Sequence, residues 1–431
     1  MSELRDERIE EPVAGLRLPV QDAALVRLRH RTLALLVLGQ VLGGFGIGAA
    51  GSVGALAVSE LAGEAWSGAA AVMSTLGAAM VALPLARLAD RSGRRVSLSS
   101  AALAAAVGAA VCVVALTGGS PVLLLLGLLL LGAATAGNLQ SRFAATDLAS
   151  AGSRGRDLSL VVWSTTLGAV VGPNLAGPGS VVGAAVGLPV LAGVFLFPVL
   201  TQILAAAAYL VGLRPDPLLE SRRRAATAAA ADPAGTASRA AGAGDPVLVR
   251  VAIATVALSH ATMVALMAMT PVHLVHGGAS LSVVGFTLSL HIAGMFALSP
   301  VFGLLVDRWG SFPVIVLGQT LLLGAAVVTA LAADDTRAVM TGLVLLGLGW
   351  SASTVAGSSL LNSAAPANRR IRVQGRSDLA MNLAGASGGA VAGPLLAVLG
   401  YSGLAWLLLV PVAAVLAAGT YGVRRTRAAA G

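Results

Sequence analysis

From residue 33 to residue 422 the sequence is a succession of apolar runs, most about 20 residues or longer, each closed by Gly, Pro or charge. At about 1.5 Å of rise per helical residue, such a run matches the hydrocarbon thickness of a bilayer. A soluble core cannot hide this much apolar chain: 57% of residues are hydrophobic, 11% are charged, and mean hydropathy is +0.87. The alternating pattern of a lipid-facing β-barrel is absent, while 53 glycines and abundant alanine suit helices that pack through small side chains. The sequence therefore predicts an all-α integral membrane protein.

Counting apolar runs between polar breaks gives twelve helices, near 33–57, 68–88, 96–117, 121–144, 158–178, 188–212, 248–274, 281–304, 312–332, 338–361, 378–398 and 402–422. The net charge of +9 does not point to a nucleic-acid partner, because the positive residues are all arginines placed at alternate helix ends. Arg337 aside, they fall in the N-terminal segment, the breaks after spans 2, 4, 6, 8 and 10, and the C-terminal tail. The breaks around Glu60, Gly118, Gly179 and Tyr401 hold none. By the positive-inside rule both termini are expected in the cytoplasm, as an even span count requires. The first thirty residues carry six acids and no apolar core, so they read as a cytoplasmic lead-in, not a cleaved leader. Cys112, the single cysteine, sits mid-span and reads as a small buried hydrophobe.

The stretch after Arg214 is rich in Pro, Ala and charge and reads as a flexible linker. The expected organisation is a lead-in over 1–32, a six-helix bundle over 33–213, a cytoplasmic linker over 214–247, a second six-helix bundle over 248–423 and a tail over 424–431. The two halves repeat one another. "ARLADRSGRR" after span 2 returns as "GLLVDRWGSF" after span 8, matching Asp90, Arg91 and Gly93 with Asp307, Arg308 and Gly310. "DLSLVVWSTTLGAVVGP" from Asp157 and "DLAMNLAGASGGAVAGP" from Asp378 align without a gap.

On these motifs the chain resembles the major facilitator superfamily, whose loop between helices 2 and 3 carries a G-x-L-x-D-R-x-G-R-R pattern and whose two halves rock about a central site. The first copy has Ala86 where that pattern has Gly; the second keeps Gly303 but lacks the basic pair matching Arg94 and Arg95. Physically, a carboxylate beside a helix end holds the partially positive N-terminus of a neighbouring helix, so Asp90 and Asp307 are expected to latch the cytoplasmic side. Gly168 and Gly172 with Pro173, and Gly385, Gly389 and Gly393 with Pro394, set small residues on one face beside a bend. They resemble a drug-antiporter motif, but packing and flexing between the halves is the expected role.

All 19 acids fall in loops, segments or helix edges, so the usual proton-coupling carboxylate is missing from mid-span. Interior chemistry falls instead to amides such as Gln40, Asn138, Gln140, Gln319 and Asn382, and to "SHATMVALMAMTPVHLVH" with "SLHIAGMFALSP", which hold four of the five histidines. Met263 and Met267 share a helix face by their four-residue spacing, as do His291 and Met295. Met269 lies off that face and His260 nearly on it. Methionine is also ordinary apolar filler, but His291, about 15 Å of helix rise below the outer surface, is a polar ring that needs a partner or a purpose. Neutral thioether and imidazole donors suit Cu(I).

These pairs resemble those of the CcoA-like copper importers of the same superfamily, with MxxxM on helix 7 and HxxxM on helix 8 at the same offset. The resemblance implies copper uptake through Met263, Met267, His291 and Met295, with His260, Met269, His273 and His276 as an accessory path. It also implies Cu(I) as cargo instead of a resident cofactor, copper chaperones as partners, and a monomeric, non-enzymatic carrier in a bacterial cytoplasmic membrane. Carriage of a small organic solute, as a vitamin-like importer or a drug exporter, is the alternative.

Overall fold

The computed structural model describes residues 23–63, 66, 69–171, 176–231, 244–279 and 281–428. Gly172, Pro173 and residues 1–22, 232–243 and 429–431 of the lead-in, linker and tail lie outside the described residues. Among those described there is no strand. The helices are α1 (Ala23–Ala62), α2 (Ala69–Thr117), α3 (Pro121–Ala144), α4 (Arg154–Val171), α5 (Ala176–Ala185), α6 (Val190–Gly212) and α7 (Pro217–Ala231) in the first part of the chain. The second part holds α8 (Pro246–His276), α9 (Leu281–Phe296), α10 (Ser299–Trp309), α11 (Ser311–Leu331), α12 (Thr336–Ala364), α13 (Arg370–Leu407) and α14 (Leu409–Ala428).

Among the described residues eight helical stretches are long and apolar enough to cross a membrane. Two of them each cover two of the expected spans, which accounts for ten, and expected spans 1 and 5 fall on α1 and on α4 with α5. α2 carries spans 2 and 3 and turns at Gly93 (φ 86°); α13 carries span 11 and, past Gly400 (φ 68°), the start of span 12, which α14 completes. Both turns use a left-handed conformation that glycine adopts without a Cβ clash. Span 8 departs from expectation by breaking into α9 and α10 at Ala297–Leu298, because Pro300 opens α10 without a backbone donor. Two other segments are more ordered than their composition suggested: α1 begins inside the lead-in, and α7 occupies the front of the linker. Local signals set several starts, as where Ser120 accepts from the Leu123 amide with Pro121 in the first turn of α3.

The two bundles, α1–α6 and α8–α14, meet at the end of the molecule that carries Arg94, Arg142 and Asp307. Large apolar side chains such as Val122, Val181, Leu331 and Val398 are exposed on the periphery, as lipid-facing residues must be. The glycine motifs close contacts within each bundle, not between them, which corrects the expected role. Gly44 of α1 backs directly onto Gly168 of α4, and Gly385, Gly388 and Gly389 of α13 back onto His260, Ala261 and Val264 of α8. Gly393 has open space where a Cβ would stand.

The contact between bundles uses other small residues. A Cβ on Gly303 of α10 would fall onto Ser159 and within 2.5 Å of the Gly155 carbonyl of α4. Ala86 of α2 faces Gly375 of α13, so the glycine absent from the first motif stands on the opposite side of the contact. Gly303→Ala is expected to cost about 1–3 kcal/mol by overpacking against fixed backbone. The measurement is a lowered thermal midpoint in detergent, with Gly393→Ala unchanged.

Candidate functional site

The two motif copies do different jobs. Asp307 accepts the Gly155 and Arg156 amides at 2.7 and 2.9 Å, a carboxylate across the first turn of α4 where four amides lack intrahelical partners. Asp90 holds no helix end: it takes Arg222 of α7 at 2.5 Å and Arg372 at 3.6 Å. Its expected place belongs to Asp216, which accepts the Arg95 amide at 2.7 Å. Arg94 is buried and donates to Asp147 at 2.8 Å and to Gln374 of the opposite bundle at 2.8 Å. Burial pushes the Asp147 carboxyl above its ordinary range, with Arg94 pulling it back. Gln374 donates to Asn362, and Asn362 to the Thr146 hydroxyl, extending the bridge. Arg91 and Arg308 stay exposed, while Gly310 takes φ 85° in the turn between α10 and α11.

One ion pair corrects the sequence reading of the interior. Asp378, placed near a helix edge by counting, is 1% exposed and accepts from Arg142 of α3 at 2.6 Å, across the two bundles. Arg142 Nε and Asp378 Oδ2 have no other partner, and Met381 lies against the guanidinium at 3.8 Å. Asp157, the repeat equivalent of Asp378, instead takes Arg29 at 2.7 Å within the first bundle. The repeat is symmetric in sequence and asymmetric in charge pairing. Such a buried pair persists where both charges are matched, and breaking it exposes each to a low dielectric.

The helices that carry the methionine and histidine pairs touch each other but find their main neighbours elsewhere. α8 packs on α13 and α12, whereas α9 packs on α12, so α12 supplies the neighbour each was expected to find in the other. Met263 and Met295 are buried in one apolar cluster with Leu343, Leu346 and Trp350 of α12, and Met267 and Met269 pack against it. His260 accepts from Trp350 Nε1 at 3.0 Å, and Phe296 meets the same indole edge-on at 5.7 Å. His260 also lies close enough to Arg142 to interact electrostatically. His273 bonds the Ala333 carbonyl at 2.7 Å and stacks on Tyr401 at 4.1 Å, while His276 is exposed. His291 is fully buried; its Nδ1–H donates to the Leu343 carbonyl at 2.7 Å, which fixes the tautomer and leaves the Nε2 lone pair without a partner. Among the described residues no group of three or more His, Cys, Asp or Glu is placed to hold a metal ion. The amides Gln40 and Gln319 tie helices inside their own bundles, to Thr165 and to Ser259 with Ser353.

Sequence reasoning missed Arg142, Asp147, Gln374, Asn362, Asp216 and Trp350. The legible signal was "QSRFAATD" at the end of span 4, which puts a base and an acid five residues apart where topology needs only the base.

Two helical bundles related by an internal repeat and joined by buried charge are the architecture of a membrane carrier. A family model described as Major Facilitator Superfamily matches residues 251–430. The chain is 38% identical to an uncharacterised MFS-type transporter of Bacillus subtilis, YddS, over 90% of this chain and 91% of that protein. It is 27% identical to the riboflavin transporter RfnT of Brucella anthropi, over 90% and 94% respectively. Among solved structures it superposes on the human organic anion transporter MFSD10 with a TM-score of 0.71 at 17% identity, covering 90% and 99% of the two chains. The chain belongs to the major facilitator superfamily and is a secondary transporter.

Arg142→Gln or Asp378→Asn alone strands a buried partner and is expected to cost about 3–5 kcal/mol, whereas the double substitution costs less than the sum. A double-mutant cycle on thermal midpoints in detergent checks this.

Proposed function

We propose that this transporter carries a small, planar organic solute of the vitamin type through a centre formed by His260, Trp350, Phe296 and Arg142. The observation that carries the reading is the Trp350 indole, held between the His260 ring and Phe296, in the same apolar cluster as Met381, which lies against the Arg142 guanidinium. Aromatic faces with one polar handle and a fixed cation suit a flat heterocycle with an acidic or carbonyl edge. The relative that transports riboflavin, similar over nearly the full length, supports the same class of cargo. The arginine-rich end, by its charge, faces the cytoplasm of a bacterial cell, and both termini lie there. With that end closed by Arg142–Asp378, Arg94–Gln374 and Asp307, the conformation is closed to the cytoplasm, and the cycle opens these contacts as the halves rock.

Copper uptake through Met263, Met267, His291 and Met295 is the second reading, and one observation favours it: the buried Nε2 of His291 offers a lone pair to nothing in the protein. Against it, the thioethers sit in an apolar cluster where methionine needs no ligand.

Proteoliposomes separate the two. Counterflow of labelled riboflavin-like solutes is expected in wild type and lost in Trp350→Ala, while Cu(I) uptake under reducing conditions is expected to be absent or unaffected by His291→Ala. Copper uptake that disappears with His291→Ala, without solute counterflow, would sink the organic-solute reading.

A further inference from the structure

At the arginine-rich end a crevice of about 600 Å³ lies between the first turns of α1 and the start of α7, lined by Ala24, Arg27, Leu28, Arg31, Pro215, Glu220, Arg223 and Arg224. Four arginines face one glutamate there, so the lining carries three positive charges more than it neutralises. The one carboxylate is already taken: Glu220 accepts from Arg223 at 2.9 Å and from Arg224 at 2.7 Å. Arg31 donates to the Gly212 and Arg214 carbonyls, which fixes its head at the foot of α6. Among the described residues Arg27 has no hydrogen bond or ion pair, and it is exposed.

Position narrows what such a site accepts. The apolar run of α1 begins at residue 33, within two turns of Arg27 and Arg31, so the crevice stands at the level where lipid headgroups meet the protein. Its wall is not only cationic: Ala24, Leu28 and Pro215 also line it. A soluble anion has no use for an apolar wall, whereas an amphiphile does.

We propose that this crevice binds the phosphodiester headgroup of an anionic phospholipid from the leaflet at the arginine-rich end. Guanidinium groups match phosphate oxygens in pairs: Arg27 supplies the unengaged fork, and Arg223, whose fork holds Glu220, adds its charge beside it. Because Arg222 on the same helix holds Asp90 and Asp216 at its start holds the Arg95 amide, a lipid seated here fastens α7 onto the loop between spans 2 and 3. Lipid composition thereby reaches the contact that closes this end.

The test is native mass spectrometry of the full-length protein in detergent with added phosphatidylglycerol, phosphatidylcholine or glycerol 3-phosphate. Wild type is expected to retain phosphatidylglycerol in preference to phosphatidylcholine. Arg27→Gln/Arg223→Gln is expected to weaken that adduct roughly twentyfold, Arg27→Gln alone by a smaller factor, and Arg337→Gln at the far end not at all. Unchanged thermal midpoints keep the comparison free of misfolding. Equal retention of phosphatidylglycerol by both Arg27 variants and wild type overturns the site. Displacement of the lipid by glycerol 3-phosphate at equal concentration overturns the lipid assignment in favour of a soluble phosphate.

Discussion

A guanidinium and a carboxylate buried between two apolar bundles hold this molecule in the conformation it shows. Neither Arg142 nor Asp378 is tolerable alone in a low dielectric, and each comes from a different half, so the halves stay together at that level only while both charges are matched. Below the pair, Arg94 with Gln374, Asn362 with Thr146 and Asp307 with the start of α4 repeat the same device in weaker form. Each is a polar contact between the two bundles, and together they favour the conformation in which they are made.

Small residues provide the complementary part. Inside each bundle, Gly44 on Gly168 and Gly388 on Ala261 let backbones approach closely. Between the bundles Gly303 and Gly375 do the same at contacts that must also come apart. The placement of Gly375 opposite Ala86 shows that a close approach needs one small residue, not a particular one. A motif read along a single helix cannot report which side supplies it.

The histidines illustrate how tertiary neighbours reassign chemistry. By spacing alone, His260, His273 and His291 belong to one path with the methionines. In the fold, His260 is committed to Trp350, and His273 to Ala333 and Tyr401, while His291 keeps one nitrogen free. The reason is α12, which stands against both α8 and α9 and offers carbonyls and an indole where the hairpin alone would have offered thioethers. The neighbours these side chains acquire thus follow from helix order in space.

The sequence by itself determined the membrane-spanning character, the helical class and the duplication, because each follows from local quantities: run length, charge at alternate ends, and residue spacing. It also marked Asp307 as a latch, since a carboxylate next to a helix end has one favourable use. Only the tertiary structure decided that Asp378 pairs with Arg142 across the halves while its repeat partner Asp157 pairs within one, that Asp216 takes the place expected for Asp90, and that a helix stands in the linker. These depend on which chain-distant groups meet after the bundles close, and a polar group near a span edge looks the same in sequence whether it ends in water or against an opposite charge.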